Sequence, residues 1–436
     1  MKEKLRHYFL PGMVGIAVII SIILSVSLLT NPARFSSRSH QNRTTDMHND
    51  NNTHNELDLY APTQLIETTS TGQQNLVTSP TTNLIGEVLR QLRQEHFSAV
   101  KQISTNNQKQ YQAILHKPNT MSLNYTNPIS TDKVAKLLRY QDLNGLGQVS
   151  RLVVPIDEPH ELYLLADENQ TVYRVSLATK QATNFKKFLQ HGVTKNRVEV
   201  KFMNRKPWLF FPNPVIMNDY AFMLQEQSQS SYLNRVIGNA TNANVKHRQG
   251  KTTYSSPDQE LTFDHNDNVT YNNYRPTKRI VRQEDALNAA YQNAIQLGIP
   301  LDNTKFDSYV AKDHTVVYRL FIEGFPLFSD DQLGTYTYRY INQNSEQYQF
   351  SLRDFQIPIP TDDSKTTLPN TSDVLATLQQ RGLSHQQLQG MTLGYQVVTS
   401  KADSLVVTLQ PTWFVKYDNQ WVNYQVAGLN NNNGKE

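Results

Sequence analysis

The sequence contains no cysteine in 436 residues. This absence excludes disulfides, thiolate zinc sites, iron–sulfur clusters and cysteine nucleophiles. A eukaryotic secreted domain of this size would usually carry disulfides, so a cysteine-free extracellular chain is more typical of a bacterium without a periplasmic oxidising system. The absence also excludes lipid attachment through a cysteine.

Net charge is nearly absent too, because 42 Lys and Arg offset 38 Asp and Glu to leave a formal charge of +4. A surplus this small excludes the strongly basic character that is typical of nucleic-acid binding. Catalytic motifs are also missing. The chain has no His-Glu-x-x-His, Gly-x-Ser-x-Gly or Gly-x-x-x-x-Gly-Lys sequence, the signatures of zinc proteases, serine hydrolases and phosphate-binding loops.

Isolated candidate ligands do not form a pattern. His247 and His265 lie in one polar segment, but no spacing forces them together, which favours ordinary surface residues. Residues 264–268 resemble the start of a calcium loop, yet Val269 stands where that loop requires glycine, which favours a turn. We predict no catalytic residue, no metal and no cofactor, although a hydrolase that uses carboxylates would leave little sequence trace.

Long apolar runs are scarce, with one exception. Residues 13–30 read MVGIAVIISIILSVSLLT and carry no charge, and no comparable run follows. As a helix this segment spans about 27 Å, close to the thickness of a hydrocarbon core. A buried soluble helix would show a polar face, and a cleaved signal peptide would have a shorter apolar region with a small-x-small site. We therefore predict an uncleaved single transmembrane helix.

The orientation of this helix follows from charge and composition together. Residues 1–12 contain Lys2, Lys4 and Arg6, which favours a cytoplasmic N-terminal tail. Three arginines also follow the span, so charge alone is nearly balanced. The cysteine-free remainder, rich in Asn, Gln, Thr and Tyr, favours an extracellular position. We predict a single-pass protein of the cell membrane with its bulk outside.

Residues 31–56 contain one Phe, one Met and no Val, Ile, Trp or Tyr. Such a segment buries too little apolar surface to offset its ordering entropy, so we predict a disordered linker. As a flexible coil it would span roughly 28 Å root-mean-square.

The remainder has a globular pattern with room for two or three domains. Alternating segments and short amphipathic helices predict an N-terminal α+β domain over residues 57–205. Three prolines between positions 207 and 214 indicate a junction. We predict a middle β-rich domain over 206–280 and a C-terminal α+β domain over 281–430.

In the C-terminal domain, the sequence predicts a helix followed by antiparallel strands, and this order occurs twice. Gln283 to Leu297 predicts an amphipathic helix that ends at Gly298, and Ser372 to Gln380 predicts another that ends at Gly382. Each is followed by alternating segments typical of strands. The whole chain is thus predicted to be α+β, with a repeated helix-plus-strands unit as its last part.

Two groups of side chains are candidates for partner contacts. Ala17, Ser21 and Ser25 recur every four residues and would share one face of the predicted span. Small residues permit close packing of membrane helices, although a plain anchor with incidental serines explains the same pattern. Alternating Tyr336, Tyr338 and Tyr340, with the aromatic residues near the C-terminus, are expected mostly in the core, and an exposed subset would suit a protein partner.

Three segments resemble the YycH family, also called WalH. They are LYAPTQLIETTSTGQQNLVTSPTTNLIGEV (59–88), WLFFPNPVIMNDY (208–220) and WFVKYDNQWVNY (413–424). The predicted single span and cysteine-free extracellular part agree with this family. The resemblance extends over the chain after the linker, and its motifs are structural rather than catalytic.

The resemblance implies a membrane-anchored, non-catalytic regulator of the sensor histidine kinase WalK (YycG) in the WalK/WalR two-component system of low-GC Gram-positive bacteria. It implies action with the single-pass protein YycI, through transmembrane and extracellular contacts, on signalling and cell-wall metabolism. The assignment of Ala17, Ser21 and Ser25 as the packing face comes from their spacing alone. The alternative is a cell-wall-associated binding protein or hydrolase that uses the helix as an anchor, and a homodimer stays open.

Overall fold

The computed structural model describes residues 56–157, 160–178, 184–238, 243–275, 278–359, 364–399 and 405–428. The predicted tail, the predicted span with Ala17, Ser21 and Ser25, and all but the last residue of the predicted linker lie outside these ranges. Within the described ranges, every helix is too short or too polar to cross a membrane.

The first half of the described chain forms one antiparallel sheet of nine strands. Their spatial order is β3-β7-β6-β5-β4-β1-β2-β8-β9. Strands β1 and β2 form an antiparallel hairpin, and β5, β6 and β7 form an antiparallel meander. The strands are β1 (Gln64–Thr68), β2 (Gln74–Thr78), β3 (Phe97–Ser104), β4 (Thr120–Ser130), β5 (Gln148–Pro155), β6 (Glu161–Ala166), β7 (Thr171–Leu177), β8 (Thr194–Met203) and β9 (Lys206–Phe210).

Apolar residues cover this sheet on both faces. Leu65 on β1 belongs to a cluster that contains helices α1 and α3, whereas the adjacent Ile66 joins the cluster around α2. Because successive strand residues point to opposite faces, the two clusters lie on opposite sides of the sheet. The helices are α1 (Leu84–Leu92), α2 (Gln108–Leu115) and α3 (Thr131–Leu138), with 3-10 turns at Gln141–Leu143 and Phe185–Leu189.

The second half is built around a fourteen-strand sheet. Its path is β12-β13-β14-β15-β20-β19-β17-β18-β23-β24-β11-β21, with β16 paired to β17 and β25 to β24. The pair β10–β22 lies apart. The strands are β10 (Val215–Asn218), β11 (Tyr220–Glu226), β12 (Asn244–Arg248), β13 (Lys251–Ser256), β14 (Gln259–Phe263), β15 (Asn268–Asn273), β16 (Thr304–Val310), β17 (Thr315–Ile322), β18 (Phe325–Phe328), β19 (Thr335–Asn342), β20 (Ser345–Ser351), β21 (Arg353–Ile359), β22 (Lys365–Leu368), β23 (Gly390–Thr399), β24 (Val406–Tyr417) and β25 (Gln420–Asn423).

Short helices accompany this sheet, and one has the bounds that the sequence predicts. Helix α5 ends at Gly298, and its buried Ala286, Ala290 and Ala294 lie in the cluster that contains β17 and β19. Small side chains at this spacing let a helix lie close to a sheet. The helices are α4 (Gln229–Val236), α5 (Gln283–Leu297) and α6 (Thr371–Gln380).

Together these elements confirm the mixed α+β class, with sheet dominant. Strands from residues 206–280 are shared among sheets, because β9 joins the first, β10 joins the small pair and β11 to β15 join the large sheet. The boundaries at 205/206 and 280/281, and the repeated unit, stay predictions.

Candidate functional site

The aromatic candidates from the sequence lie mainly in the core. Tyr336, Tyr338 and Tyr340 are all buried, as are Trp413 and Phe414. The three tyrosines on β19 lie in the same apolar cluster as α5, and the hydroxyl groups of Tyr336 and Tyr338 make internal hydrogen bonds. The Tyr336 hydroxyl, for example, donates to the backbone oxygen of Ala290 at 3.3 Å.

The isolated polar candidates have structural roles. Asp264 Oδ1 accepts the backbone N–H groups of Asn266 and Asn268, each at 2.9 Å, which makes the segment a turn, as predicted. His247 Nδ1 lies 3.0 Å from Thr252 Oγ1. Over the ranges that the structure describes, no three His, Asp or Glu side chains are grouped to hold a metal.

Residues 56–63, here called the seam segment, join the two halves of the molecule. Glu56 pairs with Lys133 on α3 at 2.7 Å, and the same ammonium group donates to Asn288 Oδ1 on α5 at 2.7 Å. Lys133 also lies over the Tyr60 ring, 4.2 Å from its centroid. Burial lowers the pKa of Lys133, and Glu56 opposes that shift. A buried cation with these partners fixes α3, α5 and the seam segment together.

The second anchor of the seam segment is the Tyr60 hydroxyl. It donates to the backbone oxygen of Leu287 at 2.7 Å and lies 2.6 Å from the Tyr318 hydroxyl. Asp58 pairs with Lys305 on β16 at 2.5 Å. The first described residues after the predicted linker are therefore held between the first sheet and the α5 side of the second half.

A cavity of about 450 Å³ lies beside the seam segment. We call it the acidic cavity, since the four carboxyl groups of its lining, from Asp58, Asp302, Glu323 and Asp354, outnumber the single cation Lys305. The rest of the lining mixes polar and apolar residues. Burial raises the pKa of Glu323, which accepts the Tyr220 hydroxyl at 2.5 Å. Burial raises the pKa of Asp354 to about 6. The hydrogen bond from the Phe355 N–H opposes this shift, and the nearby Asp302 adds to it. Both carboxyl groups therefore take up a proton more readily than an exposed carboxyl group does.

A second cavity, of about 250 Å³, lies on the β9 side of the same junction. We call it the tryptophan cavity, since Trp208, Trp413 and Trp421 line it. Its charged lining is balanced, with three cations and three anions: Arg151, Lys206, Lys416, Asp167, Glu168 and Asp307. It combines strands β4 and β9 of the first sheet with β18, β23, β24 and β25 of the second. Both cavities therefore require the two halves to be docked.

One face of the large sheet exposes apolar side chains. Met223 on β11 lies opposite Ile357 on β21 and Val406 on β24, so these three point the same way. We call the face formed by Ala221, Met223, Ile357, Ile359, Val398 and Val406 the apolar face; the exposed Thr408 lies between Ala221 and Val398 on the same side. Its members Met223, Ile357 and Val398 are 38–44 % exposed.

The opposite side of the same strands is buried, as Phe222 and Val407 illustrate. Antiparallel sheets usually place polar residues on the solvent side, so apolar residues on both sides of these strands are unusual. Sequence analysis missed this face. The available signal was that β11 (YAFMLQE) has apolar residues at consecutive positions rather than alternate ones.

Comparisons with known proteins agree with this architecture. The family model described as "YycH protein, N-terminal domain" matches residues 13–192, and that described as "YycH protein, C-terminal domain" matches residues 209–428. The crystal structure of YycH from Bacillus subtilis is similar, with a TM-score of 0.66 and 13 % identity over 84 % of this chain and 96 % of that one. A sequence comparison with curated proteins finds no match.

The solved structure supports the fold alone, whereas the family models span most of the chain. The N-terminal model begins at residue 13, where the predicted span begins. On this evidence the chain belongs to the YycH family, which places it at the family level among regulators of the WalK/WalR two-component system.

Proposed function

We propose that this protein is a non-catalytic, membrane-anchored regulator of the sensor histidine kinase WalK (YycG), acting with a YycI-like single-pass protein. The span at residues 13–30 anchors it, the N-terminus is cytoplasmic and the described part is extracellular. The apolar face carries this proposal, because an exposed apolar sheet surface suits contact with a protein and offers no group for catalysis.

The mechanism follows from population shift. A kinase with two signalling states of similar free energy responds to any partner that packs better against one of them. A difference of about 1.4 kcal/mol changes the ratio of the two states tenfold. Ala17, Ser21 and Ser25 are the proposed packing face in the membrane, and the apolar face is the proposed extracellular contact. Adjusted kinase output then changes cell-wall metabolism.

Co-purification from membranes tests both contacts. The full chain is compared with an Ala17→Leu, Ser21→Leu, Ser25→Leu variant and with a Met223→Lys, Val398→Lys variant. A matched control, Val245→Lys with Val310→Lys, changes two valines of similar exposure on β12 and β16. We expect the kinase and the second single-pass protein to co-purify with the parent chain and the control.

Loss of these partners from either of the other variants would identify the contact that fails. If every variant retained these partners, neither proposed surface would be a contact with them. Failure of the parent chain to recover a kinase would instead favour the alternative of a protein that binds or cleaves cell-wall polymer.

A further inference from the structure

The acidic cavity has the size and the walls of a site for a small organic molecule. Its volume is about 450 Å³, within the range of about 300–1,000 Å³ that is typical of ligand pockets. Leu65 and Leu76 of the first sheet line it, together with Phe222 and Phe325 of the second half. All four side chains are buried, so core residues from both halves form an apolar part of the wall.

The charged groups of this lining leave a surplus of anions. Four carboxyl groups stand against a single ammonium group, that of Lys305. Lys305 pairs with the Asp58 carboxylate at 2.5 Å and also donates to the backbone oxygen of Asp58 at 2.8 Å. Because Lys305 offsets the charge of Asp58, the lining contains no cation to offset Glu323 and Asp354.

Only neutral groups of the described ranges contact the carboxyl groups of Glu323 and Asp354. Glu323 Oε1 accepts hydrogen bonds from the Tyr220 hydroxyl at 2.5 Å and from Asn218 Nδ2 at 3.5 Å. Asp354 Oδ1 accepts the backbone N–H of Phe355 at 2.8 Å. Burial raises the pKa of both carboxyl groups, and no cation opposes either shift. Each carboxylate therefore keeps spare capacity to accept hydrogen bonds.

These two carboxyl groups reduce the stability of the fold at neutral pH. A buried carboxylate without a cation costs free energy, and a raised pKa is the sign of that cost. A cationic group in the cavity would remove the cost, because it would donate charge-assisted hydrogen bonds to both carboxylates. Carboxyl groups that destabilise the fold and line a cavity are typical of functional sites.

The N-terminus of α1 is the part of the lining that would favour an anion. Asn83 and Leu84 line the cavity, and a helix N-terminus carries about half a positive charge. Asn83 Oδ1 accepts the Gly86 N–H at 2.9 Å, and the acidic Glu87 lies in the first turn, so this end is already capped. Half a charge is smaller than the charge of two carboxylates, so the cavity as a whole favours a cation.

We propose that the acidic cavity binds a compact organic cation, an ammonium or amidinium group attached to an apolar body. Asp354 and Glu323 hold the cationic group, and Leu65, Phe222 and Phe325 pack against the body. A volume of about 450 Å³ restricts the ligand to a small molecule. This inference does not depend on the proposed kinase contact, because the lining of the cavity shares no residue with the apolar face.

Fluorine NMR of small probes mixed with the full chain in detergent micelles tests the proposal. The cationic probes are 4-fluorobenzylamine and 4-fluorobenzamidine, and the neutral and anionic controls are 4-fluorobenzyl alcohol and 4-fluorobenzoate. Micelles without protein correct for the partition of each probe into detergent. We expect saturable line broadening with at least one cation and none with the controls, and the tighter cation distinguishes ammonium from amidinium chemistry. Absence of saturable broadening with both cations, or equal broadening with a control, would overturn the proposal.

Variants assign the binding groups. We expect Asp354→Asn and Glu323→Gln each to weaken cation affinity about tenfold, because each replaces a charge-assisted hydrogen bond by a neutral one. The control is Asp330→Asn, at an exposed position outside the lining, which should bind the cation like the parent. If one carboxyl variant fails to fold, the other is measured alone. Parent-like affinity in the carboxyl variants that fold, or equal weakening in Asp330→Asn, would refute the assignment.

Discussion

Single residues decide how closely the halves of this protein approach. Gly324, in the turn between β17 and β18, has φ +83°, and a Cβ there would overlap the backbone oxygen of Thr63 in the seam segment. Gly72 has φ +82° but no heavy atom within 4 Å of the equivalent Cβ. The two glycines share a conformation and differ in their surroundings.

This pair makes a matched test of the close approach. Gly72→Ala should lower the free energy of unfolding by about 1–2 kcal/mol, the cost of a left-handed conformation for an L-residue. Gly324→Ala should cost about 1–3 kcal/mol more, because the backbone of Thr63 must move. Urea unfolding of the full chain in micelles measures both. Equal losses of unfolding free energy in the two variants would mean that the close approach of Thr63 to Gly324 adds no cost when a Cβ is introduced.

Asp354 predicts a pH dependence of stability. The pKa of Asp354 rises from 3.8 to about 6 on folding. Its contribution to the free energy of unfolding is therefore fully present below pH 3.8 and is lost as the pH rises through about 6. Asp354→Asn lacks this loss and should be more stable than the parent at neutral pH by up to about 3 kcal/mol. The two should converge below pH 3.8.

Unfolding midpoints measured at several pH values check this expectation. The control is Asp330→Asn, at an exposed position between β18 and β19. A parent and an Asp354→Asn variant with the same dependence on pH would contradict the assigned role of burial.

At the scale of elements, the seam segment is the connection that can be tested most directly. Tyr60→Phe removes the hydrogen bonds to Leu287 and Tyr318, while the Tyr318 hydroxyl keeps its own 3.2 Å bond to Leu287. We expect a loss of about 1–2 kcal/mol in unfolding free energy and faster hydrogen exchange in α5. Tyr254→Phe on β13 is the control, since the Tyr254 hydroxyl has no hydrogen bond within the described ranges. Unchanged exchange in α5 would show that the seam segment does not hold that helix.

Elements with strong local signals were predicted well. Helix α5 has a three- and four-residue apolar spacing and a terminal glycine, and its bounds match the expectation. Strands β3 and β4 and helix α2 were missed. Strand β3 is mostly exposed at the sheet edge, β4 is buried on both faces in its first half, and α2 buries only Tyr111 and Leu115. None of them offers the alternation or repeated spacing on which sequence prediction depends.

At the scale of the whole molecule, the described part should unfold as one cooperative unit. Each apolar cluster contains residues from both halves, such as Ile66 with Leu327 and Leu65 with Tyr318. Strand β18 connects the two parts of the large sheet, because it pairs with β17 and, in parallel, with β23.

Leu327→Ala tests this unity. Truncation of a fully buried leucine should lower the unfolding free energy by about 2–5 kcal/mol. Tryptophan fluorescence reports on the tryptophan cavity, and far-ultraviolet circular dichroism reports on secondary structure. Both probes should show the same loss of unfolding free energy. Leu405→Ala is the control, since that leucine is 50 % exposed. Separate transitions by the two probes would mean that the halves unfold independently.

The sequence alone determined the properties that local pattern carries. These are the chemistry that a cysteine-free chain excludes, the α+β class and the resemblance to the YycH family, whereas the span and the linker stay predictions. The tertiary structure alone decided which distant residues meet: the seam segment with α3 and α5, the two cavities, and the face of the large sheet that stays exposed. The physical reason is that the spacing of apolar residues along an element specifies which side of that element is buried. Which elements pack against each other depends instead on the apolar surface that is buried between segments far apart in the chain.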